Sequence, residues 1–150
     1  QYRHCAITLI DDSYNASPAS MTAAFASMTA TPPEIMILSE MRELGKATMP
    51  EHYALMPQIN LLSPRVVIAL GPAMHSAISG LDSSIISIAA ADTNAALEIF
   101  DTVVKDGDVV FIKGSLASGS SRVRDAILSQ FAAHRSTFTE TSNGGDSHAA

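Results

Sequence analysis

The chain has 150 residues, a net charge of −6 at pH 7 and a single cysteine. This length suits one domain with a sizeable core, and the acidic balance argues against a nucleic-acid surface, which would carry a basic patch. A lone cysteine excludes an intrachain disulfide and fits a reducing, cytoplasmic setting. No apolar run approaches the roughly 20 residues of a membrane span, and no signal peptide is visible. The chain does not begin with methionine, which hints at a piece of a longer protein.

Short apolar runs alternate with helical stripes along the chain. We predict strands at 6–11, 34–39, 65–70, 84–89 and 108–113. Most of these runs are continuous, which is typical of strands buried on both faces. Apolar residues at helical spacing predict four helices with core-facing stripes: Met21, Ala24, Phe25 and Met28; Met74, Ala77, Ile78 and Leu81; Leu97, Phe100 and Val104; Val123, Ile127 and Phe131. The alternation favours a layered α/β fold with a largely parallel sheet.

The first predicted strand ends in two carboxylates and a polar turn, in the run Leu9-Ile10-Asp11-Asp12-Ser13-Tyr14-Asn15-Ala16-Ser17-Pro18. Ser17 and Pro18 indicate a helix start, with serine as the cap and proline in the first turn. Open α/β sheets bind ligands where a strand end faces such a helix. Carboxylates there suit ribose hydroxyls, a metal or an ammonium group. Because adjacent strand residues point to opposite faces, Asp11 and Asp12 cannot do the same job.

The second predicted strand leads into Ser39-Glu40-Met41-Arg42-Glu43-Leu44-Gly45, on the same rim as the first motif if the strands are parallel. We interpret Arg42 and Glu43 as a solvated loop. His52, further on, is expected to be a half-buried helix histidine and not a catalytic residue.

The segment 45–64 has helical spacing but contains Pro57, which removes a backbone hydrogen bond. We therefore expect a kinked helix or two short ones. Gly45-Lys46-Ala47-Thr48 hints at a phosphate-binding loop, but the Walker pattern needs an earlier glycine and a hydroxyl residue directly after the lysine. Glu40 and Ala47 occupy those places, so we reject it.

The last predicted strand lies in the run Gly107-Asp108-Val109-Val110-Phe111-Ile112-Lys113-Gly114-Ser115. It brings a lysine and a Gly-Ser turn to the same rim, where Gly114 permits close backbone approach and Ser115 offers a hydroxyl and an N–H. A helix-entry loop with serine capping is the structural alternative. The five histidines are scattered, which argues against a histidine metal site. The polar, Gly-rich tail 136–150 is expected to be mobile.

These three segments resemble, in order and spacing, motifs of the C-terminal domain of Mur ligases: Asp-Asp-Ser/Thr-Tyr-Asn-Ala-Asn-Pro, Gly-Glu/Asp-Met-x-Glu-Leu-Gly and Gly-Asp-x-Val-Leu-Val-Lys-Gly-Ser. The resemblance spans 6–130, with Ser39 where the family usually has glycine. It implies a Rossmann-like three-layer fold over 1–135, with a mostly parallel sheet of about five or six strands. The Tyr14-Asn15 pair favours the branch that adds D-alanyl-D-alanine to UDP-N-acetylmuramoyl-tripeptide with ATP and Mg²⁺.

The resemblance also implies the roles of individual residues. Asp12, with Tyr14 and Asn15, would hold the nucleotide, while Asp11 braces the turn. The substrate-binding residues implied for the incoming amine are Lys113, Gly114, Ser115 and Ser118.

The resemblance implies no catalytic residue and no metal ligand in this domain. The phosphate loop and the Mg²⁺ ligands would lie on a central domain of the same chain, so the fragment would be inert alone. Its partners would be the N-terminal and central domains and the two substrates, with no nucleic acid, no membrane and a monomeric state.

Two alternatives stay open. One is another ligase of the superfamily, such as the diaminopimelate- or lysine-adding enzyme or a folylpolyglutamate synthetase. The other is a stand-alone nucleotide-binding or interaction module of flavodoxin-like shape. A complete phosphate-binding turn would favour the module, and the sequence contains none. A Gly-Lys-Thr/Ser loop in the upstream reading frame would favour a ligase.

Overall fold

A computed structural model describes residues 6–131, which form a sheet with helices on both faces. The strands are β1 (Thr8–Asp12), β2 (Ile35–Ser39), β3 (Val66–Leu70), β4 (Ile86–Ala90) and β5 (Val109–Lys113). The helices are α1 (Pro18–Ser27), α2 (Thr48–Leu62), α3 (Pro72–Ala77), α4 (Thr93–Val103) and α5 (Ser120–Phe131). Short 3₁₀ turns span Gly45–Ala47, Ile78–Gly80 and Leu116–Ser118. Each predicted strand is found within two residues of its predicted bounds.

The sheet has the order β1-β5-β2-β3-β4, and every neighbouring pair is parallel. One apolar cluster joins the sheet to α1, α2 and α3. A second cluster joins the opposite face to α4 and α5. These three layers confirm the predicted Rossmann-like α/β fold, and each helix buries its apolar stripe against the sheet.

Burial along the sheet follows position in the strand order. Every residue of β2 and β3 is buried, as continuous apolar runs predict. The edge strand β4 is different, because Ile86, Ser87 and Ala89 are exposed. The expectation of strands buried on both faces therefore holds for the centre of the sheet and not for this edge.

Two short helices were one of the two alternatives predicted for the segment around Pro57, and this alternative is wrong. The segment forms one α-helix of 15 residues with Pro57 inside it. Pro57 is exposed, while Leu55, Met56 and Ile59 on either side of it are buried in the core. Tertiary packing on both sides of the proline offsets the lost backbone bond, so the helix continues through it.

The amino edge of the sheet is held by an ion pair between residues that precede two strands. Arg65 donates from Nη1 to Asp108 Oδ1 at 3.0 Å and from Nη2 to Oδ2 at 2.6 Å. Asp108 is buried and also accepts from the Lys105 N–H at 2.8 Å. The hydrogen bond to Asp108 raises the pKa of Arg65 above its ordinary value. This fork joins β3 to β5 at the edge opposite the three motifs.

The predicted mobile tail, 136–150, lies outside the described residues. Within residues 6–131, no helix combines the length and apolar character needed to cross a bilayer.

Candidate functional site

The three sequence motifs end three adjacent strands. β5 lies between β1 and β2, and its register pairs Lys113 with both Asp12 and Leu38. The helix after β5 packs on the opposite face from the helices after β1 and β2. The chain therefore diverges to both sides of the sheet here, and ligands of open α/β folds bind in such crevices. This arrangement confirms that the motifs share one rim.

Asp12 forms an ion pair with a lysine that is enclosed in the protein. Asp12 Oδ2 lies 2.7 Å from Lys113 Nζ, and the Lys113 side chain is 1% exposed. The ammonium also donates to the Asn15 backbone oxygen at 2.8 Å. The Asp12 side chain is 32% exposed, so its carboxylate has one oxygen on the lysine and an edge in solvent. Lys113 thus fixes the orientation of Asp12 and of the following turn.

Asp11 points to the other face and braces the turn, as predicted. Its Oδ1 accepts from the Ser13 N–H at 3.0 Å, and its Oδ2 accepts from Arg124 Nη1 at 3.2 Å. Arg124 also donates to Ser13 Oγ at 3.1 Å. Burial lowers the pKa of Arg124, but hydrogen bonds and charge from Asp125 and Asp11 together raise it above its ordinary value. The α5 arginine is thus a permanently charged anchor for the β1 turn.

A cavity of about 630 Å³ opens beside the Asp12–Lys113 pair, between the β1–β5 edge and α1. Its floor is apolar, with Ile10, Phe111 and Met28, and its rim carries Tyr14 and Asn15. Tyr14 is 77% exposed. A volume of this size, apolar with a few polar groups, is that of a small-molecule site. The three residues assigned to the nucleotide therefore line one cavity together with Lys113.

The residues after β2 serve mainly to fix loops. Glu40 Oε2 accepts from the Ala73 N–H at 3.0 Å and so caps the first turn of α3. Gly71 has φ +91° and lies so close to Glu40 that a Cβ there would fall 2.6 Å from the Glu40 Cδ. Arg42 and Glu43 are exposed, which confirms the interpretation as a solvated loop. Glu43 has φ +63°, a strained conformation for a non-glycine residue.

His52 lies in helix α2 and is completely buried, which corrects the half-buried expectation. Its Nε2 lies 2.9 Å from the Met41 N–H, and its Nδ1 lies 2.6 Å from the Thr48 oxygen. Because Nε2 must accept from the amide, the ring is neutral and carries its proton on Nδ1. His52 therefore holds the loop after β2 in place.

The loop after β5 is held by serine hydroxyls. Ser118 Oγ lies 2.5 Å from Ser39 Oγ and donates to the Ser115 oxygen at 2.6 Å. Ser120 Oγ lies 3.2 Å from the same oxygen. The Ser115 hydroxyl is itself buried without a hydrogen-bond partner among the described residues. Gly114, Ser115 and Ser118 thus lie together, but they are not among the residues that line the cavity beside Asp12.

Sequence reasoning missed the residues that support this site. Arg124 and Ser120 come from α5, while Ser39 comes from β2. Spacing gives no signal for such long-range partners. Arg124 lies in the helix after the last motif, but nothing in the local sequence indicates that it bonds to Asp11 and Ser13.

Magnesium has no evident site in this part of the chain. Among residues 6–131, no three His, Cys, Asp or Glu side chains converge. Asp11 is paired with Arg124 and Asp12 with Lys113. The described residues therefore do not fit a Mg²⁺ centre.

Comparisons with known proteins agree with this geometry. The family model described as "Mur ligase, glutamate ligase domain" matches residues 1–116. A UDP-N-acetylmuramoyl-tripeptide–D-alanyl-D-alanine ligase from Mycobacterium tuberculosis (strain ATCC 25618 / H37Rv) is 32% identical, covering 81% of this chain and 29% of the relative. The ligase of the same name from Treponema pallidum (strain Nichols) is 28% identical, covering 78% of this chain and 27% of its own.

Solved structures give the same fold. A MurF ligase from Thermotoga maritima, in complex with ADP, superposes with a TM-score of 0.70 at 24% identity, over 87% of this chain and 30% of that one. MurF from Acinetobacter baumannii gives 0.64 at 24% identity, over 81% and 27%. The chain thus spans less than a third of these relatives. Because the family model covers most of its length, the chain belongs to the Mur ligase family.

Proposed function

We propose that this chain is the C-terminal domain of an ATP-dependent ligase that joins D-alanyl-D-alanine to UDP-N-acetylmuramoyl-tripeptide in the cytoplasm. In that reaction ATP phosphorylates the tripeptide carboxylate. The dipeptide amine then attacks the acyl phosphate and releases phosphate, which leaves a new amide and ADP. The domain would act as a monomer, together with N-terminal and central domains of the same protein. Its task is positioning, because phosphoryl transfer depends largely on orientation and electrostatics.

The observation that carries this proposal is the meeting of the three motifs at the switch point around β5. Relatives named UDP-N-acetylmuramoyl-tripeptide–D-alanyl-D-alanine ligase match about four fifths of the chain. A related solved structure contains ADP, which supports a nucleotide as one ligand.

The nucleotide ribose is proposed to bind at Asp12. Lys113 holds Oδ2, and none of the described residues donates a hydrogen bond to Oδ1. Asp12 lines the cavity, so its free oxygen would be suited to accept from ribose hydroxyls. The exposed ring of Tyr14 and the amide of Asn15 lie beside it and would contact the base. An oriented carboxylate loses less entropy on binding than a free one.

The amine-bearing substrate is proposed to bind along the loop after β5. Gly114 and Ser115 follow directly on Lys113, so the loop starts beside the nucleotide half of the site. The Ser118 hydroxyl is bonded to the Ser115 oxygen and the Ser115 hydroxyl is buried, so the two serines would shape the loop that borders the substrate. Lys113 would act on both halves by fixing the turn that separates them. A closing domain that carries both contacts would bring amine and acyl phosphate together and exclude water.

The test is steady-state phosphate release by the full-length protein with each substrate varied in turn. Asp12→Asn keeps an oxygen for Lys113 but removes the negative charge. We expect the KM for ATP to rise about tenfold, consistent with the loss of one charged hydrogen bond, while the KM for D-alanyl-D-alanine changes little. Asp82→Asn, an exposed aspartate before β4, is the matched control. If the rate of phosphate release by the wild-type protein did not depend on the concentration of D-alanyl-D-alanine, the proposed function would be refuted.

A further inference from the structure

A single hydroxyl joins the end of β2 to the loop after β5. Ser39 is completely buried, and its Oγ lies 2.5 Å from Ser118 Oγ. Ser118 Oγ donates its only proton to the Ser115 oxygen at 2.6 Å. It must therefore accept from Ser39, which makes Ser39 the donor. The resulting chain runs from Ser39 through Ser118 to the Ser115 backbone.

Gly114 provides the space for this hydroxyl. A Cβ at Gly114 would overlap Ser39 Oγ and lie 2.8 Å from Ser39 Cβ and 3.0 Å from Ser120 Cβ. Gly114 does not have a positive φ, so backbone conformation does not require glycine there. The Ser39 side chain fills the volume that a side chain at 114 would occupy. The two positions are therefore complementary in shape.

The 115–118 loop is held by hydrogen bonds, although the hydroxyl of its first residue, Ser115, takes part in none of them. The Ser115 oxygen accepts from Ser118 and Ser120, whereas the Ser115 hydroxyl is buried without a partner among the described residues. A buried hydroxyl without a partner is unfavourable. The loop is therefore held by hydrogen bonds to the Ser115 oxygen and by the bond between Ser39 and Ser118, to which the Ser115 hydroxyl contributes nothing.

We propose that Ser39 is a positioning residue that sets the place of the 115–118 loop through Ser118. This rests on the proposed function, in which that loop borders the amine-bearing substrate. Ser39 lies on the β2 side, and the Asp12 cavity lies on the β1 side of β5. Loss of the Ser39 hydroxyl should therefore weaken binding of the amine substrate and leave nucleotide binding unchanged.

The experiment uses the full-length ligase with Ser39→Ala, Ser118→Ala and the double variant. We expect Ser39→Ala to raise the KM for D-alanyl-D-alanine about fivefold, consistent with the loss of one net hydrogen bond, and to leave the KM for ATP unchanged. The double variant should be no worse than Ser118→Ala, because both remove the same bond. Ser79→Ala is the matched control, since Ser79 lies in the turn after α3 and its hydroxyl bonds the Ser76 carbonyl oxygen, remote from the loop. An unchanged dipeptide KM in Ser39→Ala, or an equal rise for ATP, would overturn the proposal.

Hydrogen exchange of the Ser118 amide tests the role of Ser39 in the loop independently of whether the protein is a ligase. That amide donates to the Ser115 oxygen at 3.1 Å. Exchange should be about fivefold faster in Ser39→Ala, because the tether is lost. Unchanged exchange overturns the tether whether or not the wild-type protein ligates. Should Gly114→Ala fail to fold, Ser39→Gly combined with it should recover folding, and no recovery would contradict the complementary packing.

Discussion

At the scale of single residues, the candidate site contains a lysine, Lys113, whose side chain is buried. The Lys113 ammonium has Asp12 and the Asn15 carbonyl oxygen as partners. An ammonium in a closed environment is strongly dependent on its counter-charge. Asp12 is therefore needed for the local structure as well as for the proposed ribose contact, and a binding experiment must separate the two effects.

Replacing Asp12 by alanine should destabilise the 150-residue chain. It leaves the Lys113 ammonium buried with one fewer partner, and we expect the free energy of unfolding to fall by about 2 kcal/mol. Adding Lys113→Met should recover most of that loss, since the unpaired charge is removed. Urea unfolding measures both, with Asp82→Ala as control. Equal stability of the single variant and the wild type would show that water replaces Asp12 as partner.

The Arg65–Asp108 fork should contribute a stability that is constant at neutral and alkaline pH. The pKa of Arg65 is raised, chiefly by the hydrogen bond to Asp108. Its contribution is therefore fully present below the unfolded pKa and is lost only as pH rises through the still higher folded value. Both values lie above the range used for protein work.

Urea unfolding of Arg65→Met from about pH 7 to about pH 10 checks this expectation. We expect a loss of about 3 kcal/mol at every pH, because Asp108 stays buried without the guanidinium. Arg122→Met is the control, because Arg122 is exposed and its guanidinium has no hydrogen-bond or ion-pair partner among residues 6–131. A loss that shrinks steadily across this range would mean that another group supplies the stability.

At the scale of elements, packing outweighs local propensity in α2. The helix continues through Pro57 because buried residues on both sides hold it to the sheet. Near the amino end of the helix, His52 accepts a hydrogen bond from the Met41 N–H and so joins α2 to the loop after β2. A helix fixed at both ends tolerates an interior proline that would break an isolated one.

Pro57→Ala should stabilise the chain by about 1–2 kcal/mol. The substitution restores a backbone donor and removes the ring clash, worth about 3 kcal/mol in a helix interior, while the more flexible unfolded state offsets part of it. Pro50→Ala is a matched control, because Pro50 lies in the first turn of α2, where the N–H has no helical partner. Thermal unfolding of both variants decides the matter, and a lower midpoint for Pro57→Ala would contradict the expectation.

The sequence predicted the elements better than their contacts. Continuous apolar runs located all five strands, and Ser17 with Pro18 located the start of α1 through a capping box with Ser20. The strand order depends on pairings far apart in the chain, which no local pattern encodes. For the same reason, the ion pair between Lys113 and Asp12 and the hydrogen bond between Ser39 and Ser118 can be found only from the structure.

At the scale of the whole molecule, the proposed function makes the cavity beside Asp12 one part of a larger site. The cavity has groups suited to a sugar and a base, but the described residues offer no cluster for Mg²⁺. The basic side chain nearest the cavity is neutralised by Asp12. Under the proposed function, phosphate groups would therefore need partners from another domain of the ligase.

The 150-residue chain should show no ATP-dependent ligation when supplied with both substrates. Its affinity for ATP should be weak, with a Kd in the range of about 1 mM, since it lacks contacts to the phosphates. Chemical shifts of the Asp12, Tyr14 and Asn15 amides on titration with ATP measure this. Ligation by the isolated chain, or shifts confined to residues far from the cavity, would contradict the division of the site.

The position of β5 in the sheet also determines at which stage of synthesis and folding this site can form. Among the five strands of residues 6–131, β5 comes last in the chain, yet it lies between β1 and β2. Asp12 and Lys113 are separated by 101 positions in the chain, and contacts of such long range make folding slow. A nascent chain that has not released β5 has an unpaired β1 and an incomplete sheet. The ion pair at the cavity therefore forms only once β5 has been made, and no translation product that ends before Lys113 can contain it.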